Sequence, residues 1–215
     1  MSRRTAAAKG VDTPSTRDAI LDAAERRFAE RGFAAVSVRE ISTEAGLRNQ
    51  ASLYHHFRHK RALYEAVLAR GIEPILALVS ESAEDAQREG YGEDFVDRLV
   101  VYLADHPHLP RLIQRAALED RRYLPSAIPR LLRPLYQQGV SVLAERGGSW
   151  QPADLPHLAT ALYLLIFGYF ASAALFEAVT QQDPRSQVAV HRQRRFLKAA
   201  LAKLFASGDP RADGR

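Results

Sequence analysis

From Thr16 onward the apolar residues of this chain recur every third or fourth position, and nowhere do they alternate with a period of two. Ile20, Ala24 and Phe28 stand at i, i+4 and i+8 among Asp18, Asp22, Arg26, Arg27 and Glu30, a pattern that predicts an amphipathic first helix. Gly32 ends it, because glycine adopts a left-handed cap conformation without a steric penalty. Ser37 followed by Glu40 is a capping box that starts a second helix, whose apolar edge is Val38, Ile41 and Ala45. Gly46 permits a turn, and Asn49 is a strong N-cap for a third short helix. At about 100 degrees per residue, Leu53 and Phe57 share the inward stripe of that helix. Ala51, Ser52 and His55 face the other way, flanked by Tyr54 and His56.

A fourth helix is predicted from Lys60 to about residue 82, with Leu63, Val67 and Leu68 inward and a bend at Pro74. Further helices are expected near 93–105, 108–119, 125–146 and 154–178, with a last one from Ser186 to Ala206. Breaks at His106-Pro107, Leu124-Pro125, Gly147-Gly148 and Asp183-Pro184 separate them. The run Leu158 to Phe176 carries no charge over 19 positions, which suits either a membrane span or a helix packed on all sides. Thr160, Tyr163, Tyr169 and Ser172 are scattered through it and no second such run exists, which favours packing. In the final helix Leu197, Leu201, Leu204 and Phe205 form an apolar edge, with Arg192, Arg194, Arg195, Lys198 and Lys203 expected in solvent. The last two helices are therefore the candidate surface for pairing with a second copy. The expected organisation is all-α: a disordered basic arm at 1–15, a three-helix head at 16–59, a larger helical body at 60–206 and a disordered tail at 207–215.

With 215 residues and 47% hydrophobic content the chain can bury a proper core, and having no cysteine it forms neither disulfides nor thiolate metal sites. No 7-to-15-residue apolar stretch follows the basic N-terminus, so no secretory signal is expected and the cytoplasm is the expected location. The placement of charge says more. Residues 1–70 hold 13 lysines and arginines against 8 aspartates and glutamates, so the entire net charge of +5 lies there. A localised positive field attracts phosphate backbones, and a short helix presenting polar groups, braced by another, is the shape that enters a DNA major groove. A solvated basic face is the bland alternative. No glycine falls into a phosphate-cradling motif, so catalysis, catalytic residues and cofactors are not expected. His55 and His59 lie four apart, but no third ligand is suitably spaced, so no metal is expected. The Arg3, Arg4 and Lys9 arm suits a minor groove or simply a solubilising tail.

The stretch from Thr16 to about Arg70 contains Phe-Ala-Glu-Arg-Gly-Phe at 28–33, Ser-Val-Arg-Glu-Ile at 37–41, Ala-Gly at 45–46 and Leu-Tyr-His-His-Phe at 53–57 followed by Lys60. It resembles the DNA-binding domain of the TetR family of transcriptional regulators. The resemblance covers about the first third of the chain and implies an N-terminal helix-turn-helix domain with a C-terminal helical domain for ligand binding and dimerisation. It further implies a homodimer that binds a pseudo-palindromic operator on double-stranded DNA, usually represses, and lets go when a small-molecule effector enters the second domain. On the matching positions, Ser37 and Arg39 would contact phosphates, Ser52, Tyr54 and His55 would face the groove, and Lys60 would clamp the backbone. The turn departs from the usual pattern: Leu-Arg-Asn-Gln-Ala at 47–51 is one residue longer, with Arg48 as the extra and Gln50 where lysine is frequent. By its chemistry Gln50 can pair bidentately with adenine and Arg48 with guanine or phosphate, with Asn49 beside them at the start of the helix.

Candidate effector-site walls are Tyr102, Tyr123, Tyr163, Phe167 and Phe170, with Arg111, Arg115, Arg121 and Arg122 near enough in sequence to neutralise an acid. The combination suggests a hydrophobic anion such as an acyl thioester or aromatic acid; the ordinary alternative is that these aromatics are core and the arginines a solvated face. A helical adaptor that binds only protein is the other class considered, and steep loss of DNA affinity with salt separates the two.

Overall fold

The computed structural model describes residues 15–85, 91–119, 125, 127–145 and 150–206, and all regular structure among them is helical. The expected terminal arm and tail, apart from Ser15, lie outside the described residues. Helix α1 spans Thr16–Ala35 and is N-capped by Ser15, whose hydroxyl accepts the Asp18 amide at 3.2 Å. Gly32, expected to end it, instead kinks it: its φ of 75° and ψ of 170° lie in a region essentially reserved for glycine rather than in the left-handed helical well, and the helix resumes to Ala35. The chain therefore kinks there and swings Phe33 back onto the core.

The capping box at Ser37 is present in full: Glu40 N–H donates to Ser37 Oγ at 3.2 Å and Ser37 N–H donates to Glu40 at 2.7 Å. It opens α2, Val38–Glu44. A Schellman closure ends that helix, with Leu47 N–H on Ser42 O at 2.9 Å and Gly46 N–H on Thr43 O at 3.1 Å. Its left-handed position is Gly46, at φ 71°. Asn49 then caps α3, Gln50–His56, and α4 follows as Lys60–Asp85. Phe28, Phe33 and Tyr64 close the head core, with Tyr64 edge-on to both rings at 4.9 and 5.3 Å between centroids. Since Tyr64 sits on α4 and is fully buried, the first turns of α4 serve the head even though the helix continues into the body.

The body adds α5 (Tyr91–Asp105), α6 (Leu109–Leu118), α7 (Ala127–Glu145), α8 (Leu155–Ala171), α9 (Ala173–Thr180) and α10 (Gln187–Ala206). The helix expected across 154–178 is broken at Ser172, and its two pieces meet at 65°. No single described helix is long and apolar enough to cross a membrane. One side of the uncharged run is packed: Leu158, Ile166, Phe167 and Phe170 are buried in the body, while Leu164 and Leu175 are exposed. Pro74 lies inside α4 without ending it. The breaks predicted at Leu124-Pro125 and Gly147-Gly148 fall on or beside residues outside the described set.

The final helix corrects its predicted orientation. Leu197 is fully buried and Leu201 half-buried, so this edge faces its own body rather than a partner. Arg194 and Lys198, expected in solvent, both grip Asp97 of α5, at 2.6 and 2.8 Å. Their hydrogen bonds, that of Arg194 foremost, hold the Asp97 carboxyl down at about 2. Head and body meet where α1 packs against α4 and α6, and Arg70 of α4 reaches back to Asp22 and Glu25 of α1 at 2.7 Å each.

Candidate DNA interface and effector cavity

Charge on the head is sorted by ion pairing. Arg26 and Arg27 both bind Glu44, Arg31 binds Glu40, Arg61 binds Glu65, and Arg70 takes Asp22 and Glu25. The Glu40 carboxyl is held at about 2, chiefly by the backbone and side-chain hydrogen bonds of Ser37 and then by Arg31. Burial pushes the Glu44 carboxyl up, but its bonds to Arg26 and Arg27 outweigh this and leave it low. Arg39, Arg48 and Arg58 are exposed and form no ion pair among the described residues. The cations left available are therefore those on α2, in the turn and just past α3.

On α3, Leu53 is fully buried and Phe57 nearly so, which fixes the rotation of the helix and turns Gln50, Ala51, Tyr54 and His55 outward. Tyr54 is 48% exposed, so its ring is not the packed core residue it could have been. Asn49 acts through the helix: its Oδ1 accepts from the Ser52 amide at 3.0 Å and the Ser52 hydroxyl at 3.2 Å. That leaves Asn49 only its amide donors for DNA, and leaves Ser52 half-buried with a hydroxyl free to accept. Ser37 likewise caps α2, while Arg39 projects from its first turn. Lys60 departs from the expected outward reach, since its ammonium lies 4.4 Å from the centre of the Phe33 ring, a cation–π contact. His59 Nδ1 accepts the Ala62 amide at 3.0 Å and so caps α4. Among the described residues no cluster of three or more metal-ligating groups occurs. Arg58 was missed by sequence reasoning; its signal was a lone arginine between the buried Phe57 and the cap of the next helix.

The body holds an apolar cavity of about 320 Å³ between α4, α5, α7 and α8, with Leu201 of α10 on one side. Ile75, Leu99, Leu135, Gly139 and Val142 are among its walls. Of the predicted residues, Tyr163 and Phe167 line it, their rings stacked at 5.0 Å. Phe170 is buried outside the wall, and Arg115 is held by Glu119 at 2.5 Å away from it. Tyr102 instead lines a polar cleft between head and body, its hydroxyl donating to Gly71 O at 3.0 Å. Tyr123, Arg121 and Arg122 lie outside the described residues. The large contribution of α7 to the wall was not anticipated, although Leu132, Leu135, Gly139 and Val142 recur at helical spacing.

An exposed polar helix braced by a capped one, beside unpaired arginines and carried on a separate helical body, defines a helix-turn-helix DNA-binding regulator. Residues 20–67 match the family described as "Bacterial regulatory proteins, tetR family". The chain is 46% identical over 61 residues to the HTH-type transcriptional repressor KstR2 of Mycolicibacterium smegmatis, covering 26% of this chain and 29% of that protein. It is 27% identical over 172 residues to the HTH-type transcriptional regulator RutR of Escherichia coli, covering 79% of this chain and 81% of RutR. The fold is shared with the fatty acid degradation regulator FadR of Bacillus halodurans, at a TM-score of 0.61 and 18% identity over 84% of this chain and 96% of that one. Residues 20–67 thus carry the DNA-binding domain of the tetR family, and the relatives matched are themselves HTH-type transcriptional regulators.

Proposed function

We propose that this regulator is a homodimeric repressor, acting in the cytoplasm, that binds a pseudo-palindromic operator and releases it when a small hydrophobic molecule occupies the body. Residues 16–59 carry DNA recognition and 60–206 carry effector binding and dimerisation, with the first turns of α4 shared. The observation that carries the DNA-binding half is the charge sorting on the head. Every other arginine described there is engaged by a carboxylate or, for Arg17, lies over the Phe57 ring, whereas Arg39, Arg48 and Arg58 remain available next to the exposed α3. In this reading Gln50, Tyr54 and His55 meet the groove, Ser37, Arg39, Arg48 and Ser52 meet the backbone or base edges, Asn49 sets the start of α3, and Lys60 steadies the entry to α4.

Dimerisation is supported by an apolar surface left uncovered on α8, α9 and α10. Leu164, Leu175, Val179, Val188 and Phe196 are all more than half exposed there, more than single scattered residues require. Selection of bound DNA from a random pool by the purified protein tests the proposal. The expected product is two inverted half-sites roughly one turn, 34–36 Å, or a multiple apart. Sedimentation of Val179→Glu and Phe196→Glu variants should give monomers, and a wild-type monomer that still selects single half-sites would refute the dimer.

A further inference from the structure

Resting on the reading of the apolar cavity as the effector site, we infer that its ligand is an uncharged hydrophobic molecule whose single hydrogen-bonding oxygen is held by the hydroxyl of Tyr163. The volume of about 320 Å³ is at the small end of ligand cavities, which run from roughly 300 to 1,000 Å³. The described wall contains aliphatic and aromatic side chains, two further hydroxyls and no cationic side chain. Burying a carboxylate or phosphate there leaves a charge without a partner, which is far costlier than burying an alcohol or ketone. Arg115, which does not line the cavity, is engaged by Glu119.

The three hydroxyls on the wall are not equivalent. Thr160 donates to Pro156 O at 2.8 Å and so satisfies itself within α8. Tyr136 is 44% exposed and has water available. Tyr163 is half-buried, lines the cavity, and its hydroxyl has no hydrogen-bond partner among the described residues. By contrast, the phenols of Tyr102 and Tyr169 outside the cavity reach the Gly71 and Pro184 carbonyls at 3.0 and 3.5 Å. Burial pushes the Tyr163 phenol up from its ordinary value, so it stays protonated at neutral pH and can donate. Stacking on Phe167 fixes the plane of its ring, so the donor is already oriented before a ligand arrives. The wall at Gly139 of α7 is open: a Cβ there meets nothing within 4 Å.

The test is calorimetric titration of the full-length protein with two matched series: 2-decanone, decanoate and decane, and 1-naphthol, 1-naphthoate and naphthalene. In at least one series the neutral oxygenated member should bind at least about tenfold more tightly than its carboxylate, since the anion enters unpaired. Tyr163→Phe should weaken the ketone or naphthol about fivefold, the worth of one hydrogen bond, and leave the bare hydrocarbon unchanged. Gly139→Leu should abolish binding of every member while keeping the fold, because leucine is a better helix former than glycine. Tighter binding of the carboxylates, equal losses for hydrocarbon and oxygenated ligand in Tyr163→Phe, undiminished binding to Gly139→Leu, or no binding by any compound overturns the inference. Retention of selected operator DNA is measured separately on the ligand-free wild type: its failure sinks the regulator reading and leaves the binding results standing, whereas ligand failure with intact DNA binding sinks only the cavity assignment.

Discussion

The head and the body are built from the same kind of helix, yet one is closed and the other hollow. In the head, Tyr64 packs edge-on against Phe28 and Phe33 in one core with Ile20, Ile41 and Leu53, and most surface charges away from α3 are tied in pairs. In the body, α4, α5, α7 and α8 surround about 320 Å³ of unfilled apolar space, and a broad apolar face remains uncovered on α8 to α10. Rigid positioning of a few side chains suits reading a duplex, where misplacement by an ångström forfeits a hydrogen bond. Spare volume suits admitting a molecule. On the proposed function, specificity for DNA and for effector would lie in separate regions joined through α4.

The sharpest way to break the comparison is to hollow the head. Phe28→Ala should cost about 3–5 kcal/mol, as aromatic deletions in tight cores do. Thermal unfolding followed by circular dichroism would show a Tm drop much larger than that of Leu135→Ala, whose side chain borders a void already present. Next in size, Gln50→Ala should relax base preference at one position of each half-site by roughly 1–3 kcal/mol. Arg48→Ala and Arg58→Ala should instead weaken every sequence alike and lower the salt slope by about one each. Equal losses on selected and random duplex for Gln50→Ala would remove it from base reading. Asn49→Ala comes third: loss of the cap should cost about 1 kcal/mol and fray α3, seen as faster amide exchange at Ala51 and Ser52.

Acid gives the smallest effect and tests whether head and body come apart separately. The Glu40 and Asp97 carboxyls are both held at about 2, below their ordinary values of 4.5 and 3.8. Each therefore contributes stability that is complete above its unfolded pKa and is lost as pH falls toward 2. Asp97→Asn should flatten the acid limb of stability for the body, and Glu40→Gln that for the head. Melting curves between pH 2 and 7 check both, and unchanged acid limbs would show that neither the Ser37 capping bonds of Glu40 nor the Arg194 and Lys198 bonds of Asp97 matter.

How far the sequence could be read follows the same division. Ser37 with Glu40, Gly46 and Asn49 act on backbone groups two or three residues away, so their meaning is local and the head was legible almost residue by residue. In the body the decisive partners are distant. Asp97 meets Arg194 and Lys198 about a hundred positions along the chain, and no local pattern announces it. The apolar edge Leu197–Leu201 was correctly seen, but periodicity does not say which neighbour covers an edge, and here it is the protein's own core. The break at Ser172 carries neither glycine nor proline, so nothing in composition marked it. A cavity is a property of what several helices leave unfilled; hence Tyr163 and Phe167 were placed on its wall from sequence while Phe170 and Tyr102 were not distinguishable from them.

Gly71 has a consequence for the whole molecule. A Cβ built there would lie 2.2 Å from a Leu109 methyl group, and the glycine's carbonyl already holds the Tyr102 hydroxyl. Three helices thus cross at a point with no clearance, one turn from Ile75 on the cavity wall and two from Tyr64 in the head. The atom in the way is the tip of the Leu109 side chain, so a methyl added at residue 71 would be met first by a shift of that side chain, at the seam that joins the two halves of the protein.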